Sequence, residues 1–250
     1  MTEQLTATTP LTGDEQLRRI WENLRVLIVG GIPAGALIVG LGSRVAMFVL
    51  RITSPKTVNG VESDDGFIIG QVTFGGTYNL LQIGAAVGIV GAVAYLLVAP
   101  WLIGPMWFRR LTTGLASAAV AGSMLVHADG IDFTALEPTW LAIGLFVALP
   151  GLFGTLIGMS VDAVRSPGSW TSYGRRRWLL VIISVACFPA TLLLLAVALI
   201  VLVFWAIVGE AGLPGLVRRI PAYALVIRGV WLLVAVAGLV ALISDIRSLM

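Results

Sequence analysis

The chain has 250 residues, of which 58% are hydrophobic and only 12% charged, and its mean hydropathy is +0.98. Soluble domains carry roughly a quarter charged residues, so composition excludes an ordinary water-soluble domain and predicts an integral membrane protein. The net charge of +3 and a pI near 9.5 do not indicate nucleic acid as a partner, because the basic residues sit mostly at the ends of apolar runs, where they act as orientation signals.

Residues 1–11 are polar and threonine-rich, without an apolar core or small-residue cleavage site, so no cleavable signal peptide is expected. Thr12-Gly13-Asp14-Glu15 has the spacing of a helix capping box. Leu17, Ile20, Trp21 and Leu24 then share one helical face, which predicts a short amphipathic helix along the cytoplasmic interface. Residues 1–24 thus read as a cytoplasmic tail with an interfacial helix, and 25–250 as the membrane domain.

Six spans are expected in that domain, at 25–50, 77–100, 111–127, 139–163, 179–208 and 223–244; about 20 apolar residues cross a hydrocarbon core. The first carries Gly31 and Gly35 with Pro33 as a kink, and the second Gly84, Gly88 and Gly91. Small residues at helical spacing let backbones approach closely, so the first span is predicted to be central. The third span is short and crosses only if Arg109 and Arg110 snorkel or the bilayer thins. The fourth contains Pro150 and a Gly154-x-x-x-Gly158 step, and the long fifth is bent at Pro189. Between the first two spans, Thr57 to Phe74 reads as two short strands about Asp64-Asp65-Gly66, a small β-hairpin on the outer face.

The fold class is therefore an all-α polytopic bundle of six transmembrane helices with that outer hairpin. Counting basic residues gives an N-in, C-in orientation in the cell inner (plasma) membrane. Arg218 and Arg219 are the exception, falling in an outer connection. Arg175, Arg176 and Arg177 on the inner side suit anionic lipids of the bilayer. Trp101, Trp107, Trp140, Trp170, Trp178 and Trp205 read as an aromatic belt.

Specific polar chemistry concentrates in few places. Arg44 and Arg228 are expected at similar depths near the outer side, roughly 10 Å from the interface. There they either face one anion-attracting cavity, or each snorkels outward or pairs with Asp64, Asp65 or Glu62 and pins the hairpin on the bundle. His127, Asp129 and Asp132 form an outer acidic loop whose spacing matches no metal signature. Asp162 is expected to pair with Arg165 three residues on. Cys187, the single cysteine, lies in an apolar run and is expected to be a small buried side chain, which excludes an intrachain disulfide. The chain lacks GxxxxGK[ST], HExxH and GxSxG, so no catalytic residue, metal or cofactor is assigned.

Ser43-Arg44, Ser63-Asp64-Asp65-Gly66-Phe67 and Gly70-x-Val72-Thr73 together resemble a stretch of multi-pass membrane proteins of GC-rich Gram-positive bacteria. The resemblance covers the first two spans and carries over no catalytic residue. The expected function is a non-catalytic accessory or assembly component of the bacterial membrane, contacting a membrane-protein partner or a second copy of itself. The alternatives are a small transporter or channel for an anionic or amphipathic solute, using Arg44 and Arg228, and an intramembrane enzyme using the outer carboxylates and His127.

Overall fold

The computed structural model describes residues 13–249 apart from 56–59, 61, 63–70, 128–129, 131–132, 134–135, 167, 170–175 and 211–220. The first helix, α1 (13–53), is continuous. Asp14 and Glu15 sit in its first turn, where acidic groups suit the positive end of the helix dipole. The amphipathic segment Gly13–Arg25 runs without a break into the first span.

Two wide turns interrupt the regular α geometry, at Val26–Gly31 and Ala36–Leu41. The Ile32 amide donates to Leu27 O and the Gly42 amide to Leu37 O, five residues back rather than four. Pro33, which has no amide hydrogen, lies between them. The second wide turn has a packing consequence. Five regular α residues would carry Gly40 about 140° around the helix from Gly35. A turn closing five residues back returns Gly40 to the same face.

That face meets α2 (Phe74–Val98) backbone to backbone. A methyl group built on Gly31 would lie 2.7 Å from Gly88 O, and one on Gly40 would lie 2.9 Å from Leu80 O. One built on Gly84 would lie 2.6 Å from Gly35 O. Gly35 sits directly against the Gly84 carbonyl and the Gly88 backbone. Between helices in lipid there is no hydrophobic drive, so this close van der Waals approach is what holds the pair. The pairing Gly31–Gly88, Gly40–Leu80 makes α1 and α2 antiparallel.

A short turn, Ala99–Trp101, leads to α3 (Met106–Leu125), and a loop then leads to α4 (Thr139–Arg165). α3 and α4 repeat the small-residue contact: Gly114 meets Gly151 and Thr155, while Gly154 meets Ser117 and Thr113. α4 crosses back over α2, where Gly91 faces the Phe153 ring and Gly158 the Tyr95 ring. The main core lies between α1, α2 and α4, around Leu27, Ile32, Ile89, Phe153 and Ile157. A second core closes the opposite end, around Leu50, Val126, Phe133, Leu136 and Ile143. The Arg25 end and the Leu50 end are named below after these landmarks.

The expected fifth span, 179–208, is two helices: α5 (Arg176–Cys187) and α6 (Thr191–Glu210). Pro189 supplies no amide to continue α5. The Thr191 amide and hydroxyl both return to Phe188 O, at 3.0 and 2.6 Å, and start α6 in a new direction. α5 begins at the Arg25 end, where Trp178 packs on Trp21 with ring centroids 4.9 Å apart. It ends beside α2, where Cys187 O accepts from Gln82. α6 then returns along the core through Leu194, Leu195 and Ala198 and packs against the Gly13–Arg25 segment of α1.

The last helix, α7 (Pro221–Leu249), therefore starts at the Arg25 end. Arg228 reaches Trp101 O, Gly238 packs on Ala119 and Val120, and Leu242 joins the core of the Leu50 end. α7 runs parallel to α3, so the expected similar depth of Arg228 and Arg44 is replaced by opposite ends of the bundle.

Other expectations shift as well. Span three starts at Met106, earlier than 111, which places Arg109 and Arg110 inside the helix. Phe74, expected as a hairpin residue, is the first residue of α2 behind the Thr73 cap. The rest of the expected hairpin falls largely outside the described residues, and among those described no strand forms. Cys187 is exposed rather than buried, because it lies at the tip of the fold-back. Among the described residues, four helices are long and apolar enough to cross a membrane: Ile20–Thr53, Phe74–Trp101, Thr139–Arg165 and Arg228–Leu249. The apolar stretch of the first is 61% buried and that of the last 6%, so of these four helices α1 is the most enclosed and α7 the least.

Candidate functional site

Polar side chains within the helices gather at the Arg25 end, where α2 and α4 finish. The last carbonyls of a helix have no partner within it. Here arginines from other elements supply the donors. Arg25 Nη2 of α1, a buried side chain, donates to Val164 O of α4 at 2.9 Å. Arg109 Nη2 of α3 donates to Ala99 O, and Arg228 Nε of α7 donates to Trp101 O at 3.1 Å, both in the turn that ends α2. Positive charge also suits the negative end of each helix dipole.

Asp162, two residues before Val164 and close to the end of α4, joins three helices. Its Oδ2 accepts from Arg110 Nη2 of α3 at 3.2 Å, and its Oδ1 from the Tyr95 hydroxyl of α2 at 3.3 Å. Both members of the ion pair are about three-quarters shielded. The expected Asp162–Arg165 pair does not form in this geometry; Arg165 Nη2 instead donates to Asn23 Oδ1 at 3.0 Å. The reason is packing: the Gly158–Tyr95 contact and the Gly114–Thr155 contact bring α2 and α3 close enough for Asp162 to face them.

Replacing Asp162 by alanine should destabilise the protein by roughly 2 kcal/mol, the scale of hydrogen bonds to a charged group. For a chain of this size that is a fall in melting temperature of about 4–8 °C. Arg110→Gln and the double variant should complete a cycle with coupling of about 1 kcal/mol or more in detergent-solubilised protein. Additive losses would mean that the two side chains do not act together.

The Leu50 end is held differently. Arg44 Nε donates to Thr77 Oγ1 at 3.2 Å, and the Thr77 hydroxyl donates to Thr73 O at 2.9 Å. Thr73 caps α2 by accepting from the Gly76 amide at 3.1 Å. Ser54, just past α1, donates to Glu137 O at 3.0 Å and accepts from the Glu137 amide at 2.8 Å, which ties the α3–α4 loop to the end of α1. His127 is exposed beside this loop. Asp64, Asp65, Asp129 and Asp132 lie outside the described residues. Among the described residues, no three His, Cys, Asp or Glu side chains converge as metal ligands would.

Arg44 and Arg228 are therefore not brought together. They attach to Thr77 and Trp101, at opposite ends of the α2 region and roughly 35 Å apart at 1.5 Å per residue.

A third polar point is the α5–α6 turn. Gln82, buried in α2, donates through Nε2 to Cys187 O at 2.9 Å, and the Tyr78 hydroxyl adds a longer bond to the same oxygen at 3.3 Å. A chain reversal between apolar helices leaves carbonyls that lipid cannot satisfy, so a partner from a neighbouring helix is required. Neither Gln82 nor Tyr95 stands out in sequence reasoning. The available signal is a polar residue one turn apart from another on the same face of an apolar span, Tyr78 and Gln82 in one case, and a tyrosine near a helix end in the other.

No family model, no curated protein and no solved structure matches the chain.

Proposed function

We propose that this is a non-catalytic accessory or assembly component of a bacterial inner membrane, a rigid bundle that presents one helix to a partner. The observation that carries this reading is the use of the arginines: Arg25, Arg109 and Arg228 hold helix-terminal carbonyls, and Arg110 holds Asp162. Charges committed to holding helix ends together serve architecture. α7 contributes the presenting face, since its outward residues Leu233, Val236 and Val240 are exposed and it rests mainly on α3. A membrane-protein partner or a second copy of the chain is the occupant we assign to it.

Orientation belongs to the same proposal. The Arg25 end carries Arg18, Arg19, Arg25, Arg109, Arg110 and Arg165; because α5 and α7 both begin there, we propose the same side for Arg175, Arg218 and Arg219. Arg51 and Arg247 belong to the other end. The basic excess supports a cytoplasmic Arg25 end. Arg218 and Arg219 then cease to be exceptions. Anionic lipids at Arg175, Arg176 and Arg177 fit the same side, and we assign Arg44 to clamping the outer connection that carries Asp64 and Asp65.

The transporter alternative required Arg44 and Arg228 to share one cavity. Reconstituting the full chain in phosphatidylethanolamine–phosphatidylglycerol vesicles tests the choice. Phosphate and lactate should enter protein-bearing vesicles no faster than empty ones. A protein-dependent flux that Arg44→Gln abolishes would replace the accessory reading with transport. In cells, a photo-crosslinker at position 233 or 236 should yield a discrete protein adduct; adducts with lipid alone would remove α7 as a docking helix.

A further inference from the structure

We infer a binding site for an anionic phospholipid headgroup at the Arg25 end, between the α2–α3 turn and the start of α7, with Arg109 and Arg228 as its cations. The inference rests on the membrane reading above and on a cytoplasmic Arg25 end. Both guanidinium groups converge on one turn: Arg109 donates to Ala99 O and Arg228 to Trp101 O. Those carbonyls are two residues apart, no more than about 7 Å along the chain.

Neither arginine has a carboxylate partner among the described residues. Asp162, the nearby acid of this end, is taken by Arg110 and Tyr95. A carbonyl oxygen satisfies one donor of a guanidinium but does not neutralise its charge. Arg109 also keeps Nε buried with no acceptor. Two half-buried cations held on one short turn repel one another and are costly at the edge of a low-dielectric bilayer. An anion between them removes both costs, and arginine pairs with phosphate through two parallel hydrogen bonds.

The surroundings select a lipid over a free phosphate. The turn that leads into α3 exposes Ile103, Met106 and Trp107, each more than half accessible. A phosphate-binding pair with an apolar rim suits an amphiphile whose headgroup meets the arginines and whose chains lie along α3 and α7. The site differs from the Arg175–Arg177 run, which lies in and before α5.

The test is thermal unfolding of the full chain in a neutral detergent with added phosphatidylglycerol, phosphatidylcholine of matched chains, or glycerol phosphate. Phosphatidylglycerol should raise the melting temperature by about 5 °C more than phosphatidylcholine does. In Arg109→Gln/Arg228→Gln, which keeps donors for Ala99 O and Trp101 O, that preference should fall by at least half. In Arg109→Lys/Arg228→Lys it should persist in part, and in Arg175→Gln/Arg176→Gln/Arg177→Gln it should remain. A structural role alone would lower stability equally in both lipids, which would overturn the site. So would retention of the full preference in the double glutamine variant, or an equal shift from glycerol phosphate. Failure of the membrane orientation itself would appear separately, as cytoplasmic reagents failing to reach this end.

Discussion

Gly35→Leu is expected to abolish accumulation of the folded protein, or to lower its stability by at least about 3 kcal/mol, the upper range for overpacking a core. Gly35 touches the Gly84 carbonyl and the Gly88 backbone, so the obstacle is the first side-chain carbon and no rotamer avoids it. Even alanine forces α1 and α2 apart along the whole Gly31–Gly40 face, and with them the core that Ile32 and Ile89 build on either side. The controls lie in the same kind of helix. A methyl group built on Gly144 of α4 or Gly229 of α7 meets nothing within 4 Å, so Gly144→Leu and Gly229→Leu should change stability by less than about 0.5 kcal/mol. Thermal unfolding of all three variants in one detergent decides the matter. If Gly35→Leu melts with the two controls, the backbone-to-backbone contact does not hold this bundle together.

The contrast shows what was legible in the chain and what was not. Gly31, Gly35, Gly84 and Gly88 announce close packing by their spacing, because only small residues permit it and their periodicity is local. Gly40 was harder to place, since its alignment with Gly35 depends on a wide turn that spacing read at 3.6 residues does not anticipate. The bounds of α4 were readable within two residues because Pro138 and the charged Arg165 bracket an uninterrupted apolar run.

The fold-back at Pro189 was not readable in the same way. Hydropathy is continuous across 179–208, and a proline in a membrane helix more often bends it than reverses it. What makes reversal possible is a donor for the freed carbonyl, and that donor is Gln82, over a hundred positions earlier in the chain. The same non-local logic governs the site. Asp162 has Arg165 on its own helix, yet its partners Arg110 and Tyr95 come from two others. Local spacing names candidate pairs, and the helix contacts choose among them.

One reversal at Pro189 changes the side on which everything after it emerges, and that gives the second large expectation. With a cytoplasmic Arg25 end, a reporter fused after Met250 should lie outside: alkaline phosphatase active, green fluorescent protein dark. A single bent fifth span would place the same reporter inside and give the opposite pair of signals, so the outcome is close to all-or-none. The connection 211–220 supplies an independent reading. In a Cys187→Ala background, a cysteine at position 218 should react with a membrane-impermeant maleimide only after the cells are opened, and one at position 247 should react in intact cells. Bright fluorescence at the carboxyl end together with external labelling at 218 would restore six spans and return Arg228 to the outer side. The physical basis favours the fold-back path. It satisfies Cys187 O through Gln82, and it lets Arg228 close the turn that ends α2. A six-span path would leave both of these interactions without their partners.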